Sequence, residues 1–193
     1  MARLAPSLAL LLLLAAGLGR AEAPGHVPEP AGLWQGALHG YTPNTVAGAV
    51  VVDTVQLEKL VADKKPVMID VAEADKKPEN MPATALWLPA HRSIPGAIWL
   101  PGAGSGTSDP AFTAAFERRI AGLTGGDKAK AIVAFCHPDC WGSWNAAKRL
   151  AGLGYSAVYW YPEGMEGWQT VHDTVIVKAD PEWAASMRAE AGR

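Results

Sequence analysis

Both cysteines of the chain fall in one run of six residues, Cys136-His137-Pro138-Asp139-Cys140-Trp141. Two thiols with three residues between them could form a bridge, but the ring so closed is small, and the entropy a cross-link removes from the unfolded chain shrinks with ring size. A chain of 193 residues can bury a core without staples. The pair therefore reads as reactive or ligand-binding rather than structural. One thiolate could attack a disulfide or sulfane sulfur and the other resolve the product, by dithiol-disulfide cycling or by sulfur transfer. Two thiolates with His137 beside them would also suit a soft metal, Cu(I) or zinc, on Cys136 and Cys140. Covalent haem is disfavoured, because Trp141 stands where attachment requires histidine.

The flanking residues decide how such a loop would be presented. The apolar run Ala131-Ile132-Val133-Ala134-Phe135 reads as a buried strand. A helix is expected from Ser143 to Leu153, with Trp144, Ala147, Leu150 and Ala151 apolar and Gly154 as its stop. A loop from a strand end into a helix start points amides and the positive end of the helix dipole at its contents. That setting predicts a depressed thiol pKa at Cys136, with Cys136 attacking and Cys140 resolving. His137 either tunes or ligates, or simply faces solvent. Asp139 is expected to cap the helix, with a proton relay as the alternative. Trp141 and Trp144 read as packing and rim residues, with a docking face for a protein or quinone as the alternative, Gly142 and Ser143 as auxiliary residues of the loop and helix start, and Asp70 as a partner for backbone groups at another strand end.

Around this loop, strands and helices alternate. Val46 to Val52 and Pro66 to Val71 read as strands, with a helix capped by Asp53 or Thr54 between them. Glu73 to Arg92 is a polar, proline-rich excursion, expected as a loop or flap. A short strand ends at Trp99-Leu100. Asp109-Pro110 opens a helix with Phe112, Phe116, Ile120 and Leu123 on one face, and Gly125-Gly126 ends it. Ala157 to Trp160 is a further strand, residues 163–168 a turn, and Asp180-Pro181 opens a tail helix with Trp183 and Met187. Such alternation implies right-handed crossovers, a parallel sheet with helices on both faces, and a site beyond the carboxyl ends of the strands.

Residues 1–23 have the parts of a secretory signal peptide: Arg3, a leucine-dominated block from Leu8 to Leu18, and small residues at Ala21 and Ala23. The expected location is the periplasm, with no membrane contact after cleavage; a retained anchor is the alternative, disfavoured because the apolar block is too short to span a bilayer comfortably. The formal net charge is -2, and loss of Arg3, Arg20 and Glu22 makes it one unit more negative. No basic surplus remains to recruit nucleic acid. The expected organisation is a signal peptide over 1–23, an extended arm over 24–50 that packs by its aromatics, a domain over 51–170, and a tail with a short helix over 171–193.

Several segments, taken in order, resemble the rhodanese fold. They are Ile69-Asp70-Val71, Ser93-Ile94-Pro95-Gly96-Ala97, Cys136 at its strand-to-helix loop, Asn145-Ala146-Ala147-Lys148-Arg149-Leu150, Leu153-Gly154-Tyr155, Val158-Tyr159 and Gly167-Trp168. The resemblance implies an α/β domain with a central parallel sheet. Active sulfurtransferases of this fold use a single cysteine whose loop cradles a persulfide and closes near an arginine. Here the closing positions are Trp141 and Gly142, the loop is one residue longer, and Ala72 and Ser93 stand where arginine and histidine are frequent. Without that cation an anionic donor such as thiosulfate loses a contact of roughly 1.5 to 3 kcal/mol. The loop with Ser143-Trp144-Asn145-Ala146-Ala147, together with the arm and the leader, is similar to a periplasmic group, the PQQ-dependent catabolism-associated CXXCW motif proteins. That likeness implies a redox or cofactor-linked role beside quinoprotein alcohol oxidation and a partner from that pathway, although the literal CXXCW spacing is not met. A sulfurtransferase or persulfide carrier, a soft-metal handling protein and a non-catalytic binding module are the other readings.

Overall fold

The computed structural model describes residues 27–82, 84–85 and 89–191; the expected signal peptide lies outside them. The chain runs β1 (Val50–Val51), α1 (Thr54–Lys64), β2 (Val67–Asp70), β3 (Ala90–Ser93), β4 (Ile98–Trp99), α2 (Pro110–Thr124), β5 (Ile132–Phe135), α3 (Trp141–Gly152), β6 (Val158–Tyr161), α4 (Gly164–Gln169), β7 (Val175–Lys178) and α5 (Pro181–Ala191). Five strands form a sheet in the order β1-β6-β5-β2-β4, and every pair in it is parallel. The expected α/β architecture, a central parallel sheet with helices on both faces, is thus observed.

Strand β5 lies at the centre, and all four of its side chains are buried. The period of two along a strand sends alternate residues to opposite faces. Ile132 and Ala134 join one core with Phe116, Trp144, Leu150 and Trp183, from α2, α3 and α5. Val133 and Phe135 join the other with Leu57, Leu60 and Trp168, from α1 and α4. Burial of β5 from both sides holds its carboxyl end, and the cysteine loop that follows, in a fixed place.

The helix ends follow local chemistry. Asp53 accepts the Gln56 amide while the Gln56 side chain accepts the Asp53 amide, a reciprocal box at the start of α1. Asp109 caps α2 with Pro110 in its first turn, and Gly125, at φ 64°, ends it in a left-handed conformation that costs glycine little.

Three expectations are corrected. The first strand, read over residues 46–52, is confined to Val50–Val51, because Val46 turns back so that its carbonyl accepts the Ala49 amide. The excursion read as loop through Arg92 ends in β3, which pairs antiparallel with β7 in a separate two-stranded ribbon. Its alternation was hidden by the short polar run Ala90-His91-Arg92-Ser93, whose partner lies more than 80 residues downstream. The segment read as a turn at residues 163–168 is the short helix α4, with Met165 and Trp168 buried.

Candidate functional site

The loop between β5 and α3 is held from three sides. From below, the Met165 amide of α4 donates to the Cys136 carbonyl at 2.9 Å. Gly164, at φ 64°, lets that helix start press on the loop; a Cβ there would lie 2.6 Å from the Cys136 carbonyl oxygen. From the side, residues of the arm lie alongside. Gly40 donates to the Asp139 carbonyl at 2.8 Å, Trp141 donates to the Leu38 carbonyl at 2.7 Å, and His39 pairs with Cys140 in an isolated antiparallel bridge. From the front, Gly142 meets Gly104 so closely that a Cβ on Gly104 would overlap the Gly142 backbone at 2.5 Å.

Within this frame Cys136 and Cys140 are joined by a disulfide. Cys136 is 1% exposed and Cys140 7%. A cavity of about 330 Å³ opens beside them, and Leu38, His39, Glu73, Lys76, His137 and Cys140 are among the residues that line it. Of the two sulfur residues Cys140 lines the cavity and Cys136 does not.

Each remaining candidate has a definite place. Cys140, rather than Asp139, is the N-cap of α3, and the helix begins at Trp141, two residues before the expected start. Asp139 is exposed and left-handed at φ 50°, so its backbone turns the chain one residue too early for a cap. His137 lies at the cavity wall with Nδ1 2.6 Å from Glu166 Oε1. Trp141 is buried, stacked on Trp34 with ring centroids 4.3 Å apart, and set edge-on to Trp144. Ser143 is internal: its hydroxyl donates to the Cys140 carbonyl at 3.1 Å and accepts from Trp160 Nε1 at 3.0 Å. Gly142 supplies the close approach to Gly104, and a Cβ at Gly142 would stand 3.3 Å from Cys140 Sγ. In the bonded pair neither sulfur is a thiolate ligand. Among the described residues no group of three or more His, Cys, Asp or Glu side chains is arranged to hold a metal ion.

Three further groups, Asp70, Asn145 and Arg149, hold the surroundings of the site, and most of their contacts escaped the reading of the sequence. Asp70, fully buried, accepts from the Ala72 amide at 3.0 Å and from the Ser93 hydroxyl at 2.6 Å, and its Oδ2 lies 2.8 Å from His91 Nε2. The backbone role expected for Asp70 is present; the histidine was concealed inside the proline-rich excursion. Asn145, also fully buried, clasps the arm: its Oδ1 accepts the Trp34 amide at 2.8 Å, and its Nδ2 donates to the Trp34 carbonyl at 3.0 Å and to the Gly104 carbonyl at 3.1 Å. Arg149 points away from the cavity. Its guanidinium donates to the Ser105 and Thr107 carbonyls and the Thr113 hydroxyl, and burial pushes it below its ordinary value. It stitches the 105–107 loop to α3 and leaves the cysteine loop without an arginine from this helix.

The rhodanese-like domain profile matches residues 53–170. No curated protein matches the chain. Solved structures that are similar include an uncharacterized protein from Saccharomyces cerevisiae, 24% identical over 63% of this chain and 92% of that one, with a TM-score of 0.38. A human single-domain sulfurtransferase is 21% identical over 66% of this chain and 99% of its own, at 0.37. A thiosulfate sulfurtransferase from Pseudomonas aeruginosa is 18% identical over 75% of this chain but only 25% of its own, at 0.43. With the profile spanning every element from the cap of α1 to α4, and the cysteine loop at the carboxyl end of the middle strand, the chain belongs to the rhodanese-like domain family.

Proposed function

We propose that the protein is a thiol-disulfide oxidoreductase working through the Cys136–Cys140 pair, with Cys140 as the entry sulfur and Cys136 as its resolving partner. The observation that carries this reading is the bonded pair beside a cavity that Cys140, of the two, lines. In the oxidised form an incoming thiolate attacks Cys140 Sγ. A mixed disulfide forms, the Cys136–Cys140 bond breaks, and its electron pair leaves on Cys136. The donor's second thiol, once deprotonated, attacks the donor sulfur and releases Cys140 as a thiolate. The donor becomes a disulfide, and its two electrons reside on the pair. Cys140, at the N-cap of the twelve-residue α3, sits at the positive end of that helix, which favours its thiolate. His137, which lines the same cavity and contacts Glu166 through Nδ1, is the group this reading assigns to proton exchange.

Family membership keeps sulfur transfer as the second reading; the resemblance would put the sulfane sulfur on Cys136, and the cavity lining on Cys140. Redox titration followed by intact mass separates the readings. A reversible loss of two hydrogens supports the dithiol pair. A gain of one sulfur after polysulfide supports transfer, and thiols inert to both support a binding module. The leader-like residues 1–23 and the likeness of the tryptophan-bearing loop to the PQQ-associated group extend the proposal to a periplasmic protein serving quinoprotein alcohol catabolism. Fractionation of cells carrying the tagged full chain, and growth of a deletion strain on alcohols, test that setting.

A further inference from the structure

The first amide of a helix that follows a reactive cysteine is the seat an anionic donor or product would use. In this protein that seat is taken. The Trp141 amide, first of α3, donates at 2.7 Å to the Leu38 carbonyl, and the carbonyl is held there by contacts on both sides of it. Downstream, Gly40 donates to Asp139 and His39 pairs with Cys140. Upstream, Trp34 stacks on Trp141 and is gripped through both its amide and its carbonyl by the buried Asn145. Gly36 allows the turn between these anchors: the Trp34 indole folds over it, and a Cβ there would lie 2.7 Å from that ring. Leu38 and His39 then form one wall of the cysteine cavity.

We propose that residues 34–40 are a selectivity strap: the Leu38 carbonyl fills the anion seat at the start of α3, so the loop accepts thiols and disulfides that carry no oxyanion group and rejects oxyanionic sulfur donors. A carbonyl oxygen presents its partial negative charge to an incoming sulfonate, so the strap repels such a donor and also withholds the donor's hydrogen bond. This deepens the oxidoreductase reading and rests on it for the accepted substrates, whereas the rejection of oxyanions stands on the strap contacts alone.

Gly40→Ala and Trp34→Ala, each in the full chain, test the strap. Gly40 has a φ of 145°, and a Cβ there meets nothing within 4 Å, so alanine strains only the backbone beside the bridge. Trp34→Ala removes the stack. The probe is thiosulfate added to the reduced protein. The Cys140 thiolate attacks the outer sulfur, the sulfur-sulfur bond of thiosulfate breaks with its electron pair leaving on sulfite, and sulfite is counted whatever later becomes of the persulfide. Hydrogen exchange at the Trp141 amide reports whether the seat has been vacated. The expected result is a slow Trp141 amide and negligible sulfite in wild type. In at least one variant the amide is fast and sulfite release rises by roughly ten- to a hundredfold, the range a charge-assisted hydrogen bond supplies. Rapid sulfite release by wild type, a Trp141 amide that stays protected in both variants, or an exposed amide without added sulfite release overturns the strap. Failure of every form to oxidise dithiols, with the sulfite and exchange results as expected, overturns the oxidoreductase reading and leaves the strap standing.

Discussion

His91 Nε2 stands 2.8 Å from Asp70 Oδ2, joining the ribbon strand β3 to the end of the central-sheet strand β2. The His91 ring stacks on Trp99 at 4.8 Å and meets the His137 ring edge-on at 5.9 Å. A buried carboxylate thereby connects two sheets and reaches, through two imidazoles, the wall of the cysteine cavity.

Replacing Asp70 with alanine strands the Ser93 hydroxyl and the Ala72 amide inside the protein, and each orphaned buried group costs about 1–3 kcal/mol. The expected loss for Asp70→Ala is about 3–5 kcal/mol, read as a lower urea midpoint at unchanged slope. Ser93→Ala, which removes one hydroxyl and leaves the carboxylate its other partners, is expected to lose only about 1 kcal/mol. Equal losses for the two variants would mean that the carboxylate is not the hub.

The two sulfurs should differ in reactivity once reduced. Cys140 lines the cavity and caps α3, while Cys136 is 1% exposed and does not line it. In Cys136→Ser the remaining thiol is expected to react with iodoacetamide at least about tenfold faster than the one left in Cys140→Ser, since access and thiolate fraction both favour it. Cys136→Ser is also the form expected to trap a mixed disulfide, visible by intact mass. The opposite ranking would return the entry role to Cys136.

Much of this was legible from the chain because the signals are local. The β5 run, the Asp53 and Asp109 caps, and the pairing of two cysteines across one loop need no distant partner to be read. What escaped depends on contacts far along the sequence. Trp34 and Asn145 are 111 positions apart and His91 and Asp70 are 21, and no periodicity links such pairs. The cap of α3 was misplaced for a different reason. Aspartate is the better capping residue by preference, but the left-handed turn at Asp139 and the bridge from Cys140 to His39 shift the first helical residue to Trp141.

Reduction should loosen the loop without unfolding the domain. A ring of five residues restricts the unfolded chain by an amount worth about 2 kcal/mol in the loop-entropy account; both cysteines lie in the first core, but that core is built mainly of other apolar side chains and the second contains neither cysteine. The reduced protein is therefore expected to melt cooperatively, with stability lower by no more than about 2 kcal/mol. Loss of the cooperative transition in dithiothreitol would instead make the pair a structural staple and remove the ground for redox cycling.

The outer end of the arm is tied by Glu29, whose carboxylate accepts the Ala47 amide at 2.7 Å and the Thr45 hydroxyl at 2.9 Å and pairs with Lys148 at 3.1 Å. Burial alone would raise its pKa; the Ala47 amide, Lys148 and Thr45 together outweigh that and hold it below the ordinary glutamate value. A carboxyl whose folded-state pKa is depressed contributes stability that is fully present above the unfolded value and is lost as the pH falls through the folded one. The tie is thus intact at neutral pH and releases in acid. Exchange protection at the Ala47 amide, corrected for the intrinsic pH dependence, should be flat from neutrality down to the ordinary glutamate range and then fall. In Glu29→Gln the charge is absent at every pH, so protection should be lower at neutrality and show no acid step. A wild-type profile without that step, or the same step in Glu29→Gln, would mean that another group holds this end of the arm.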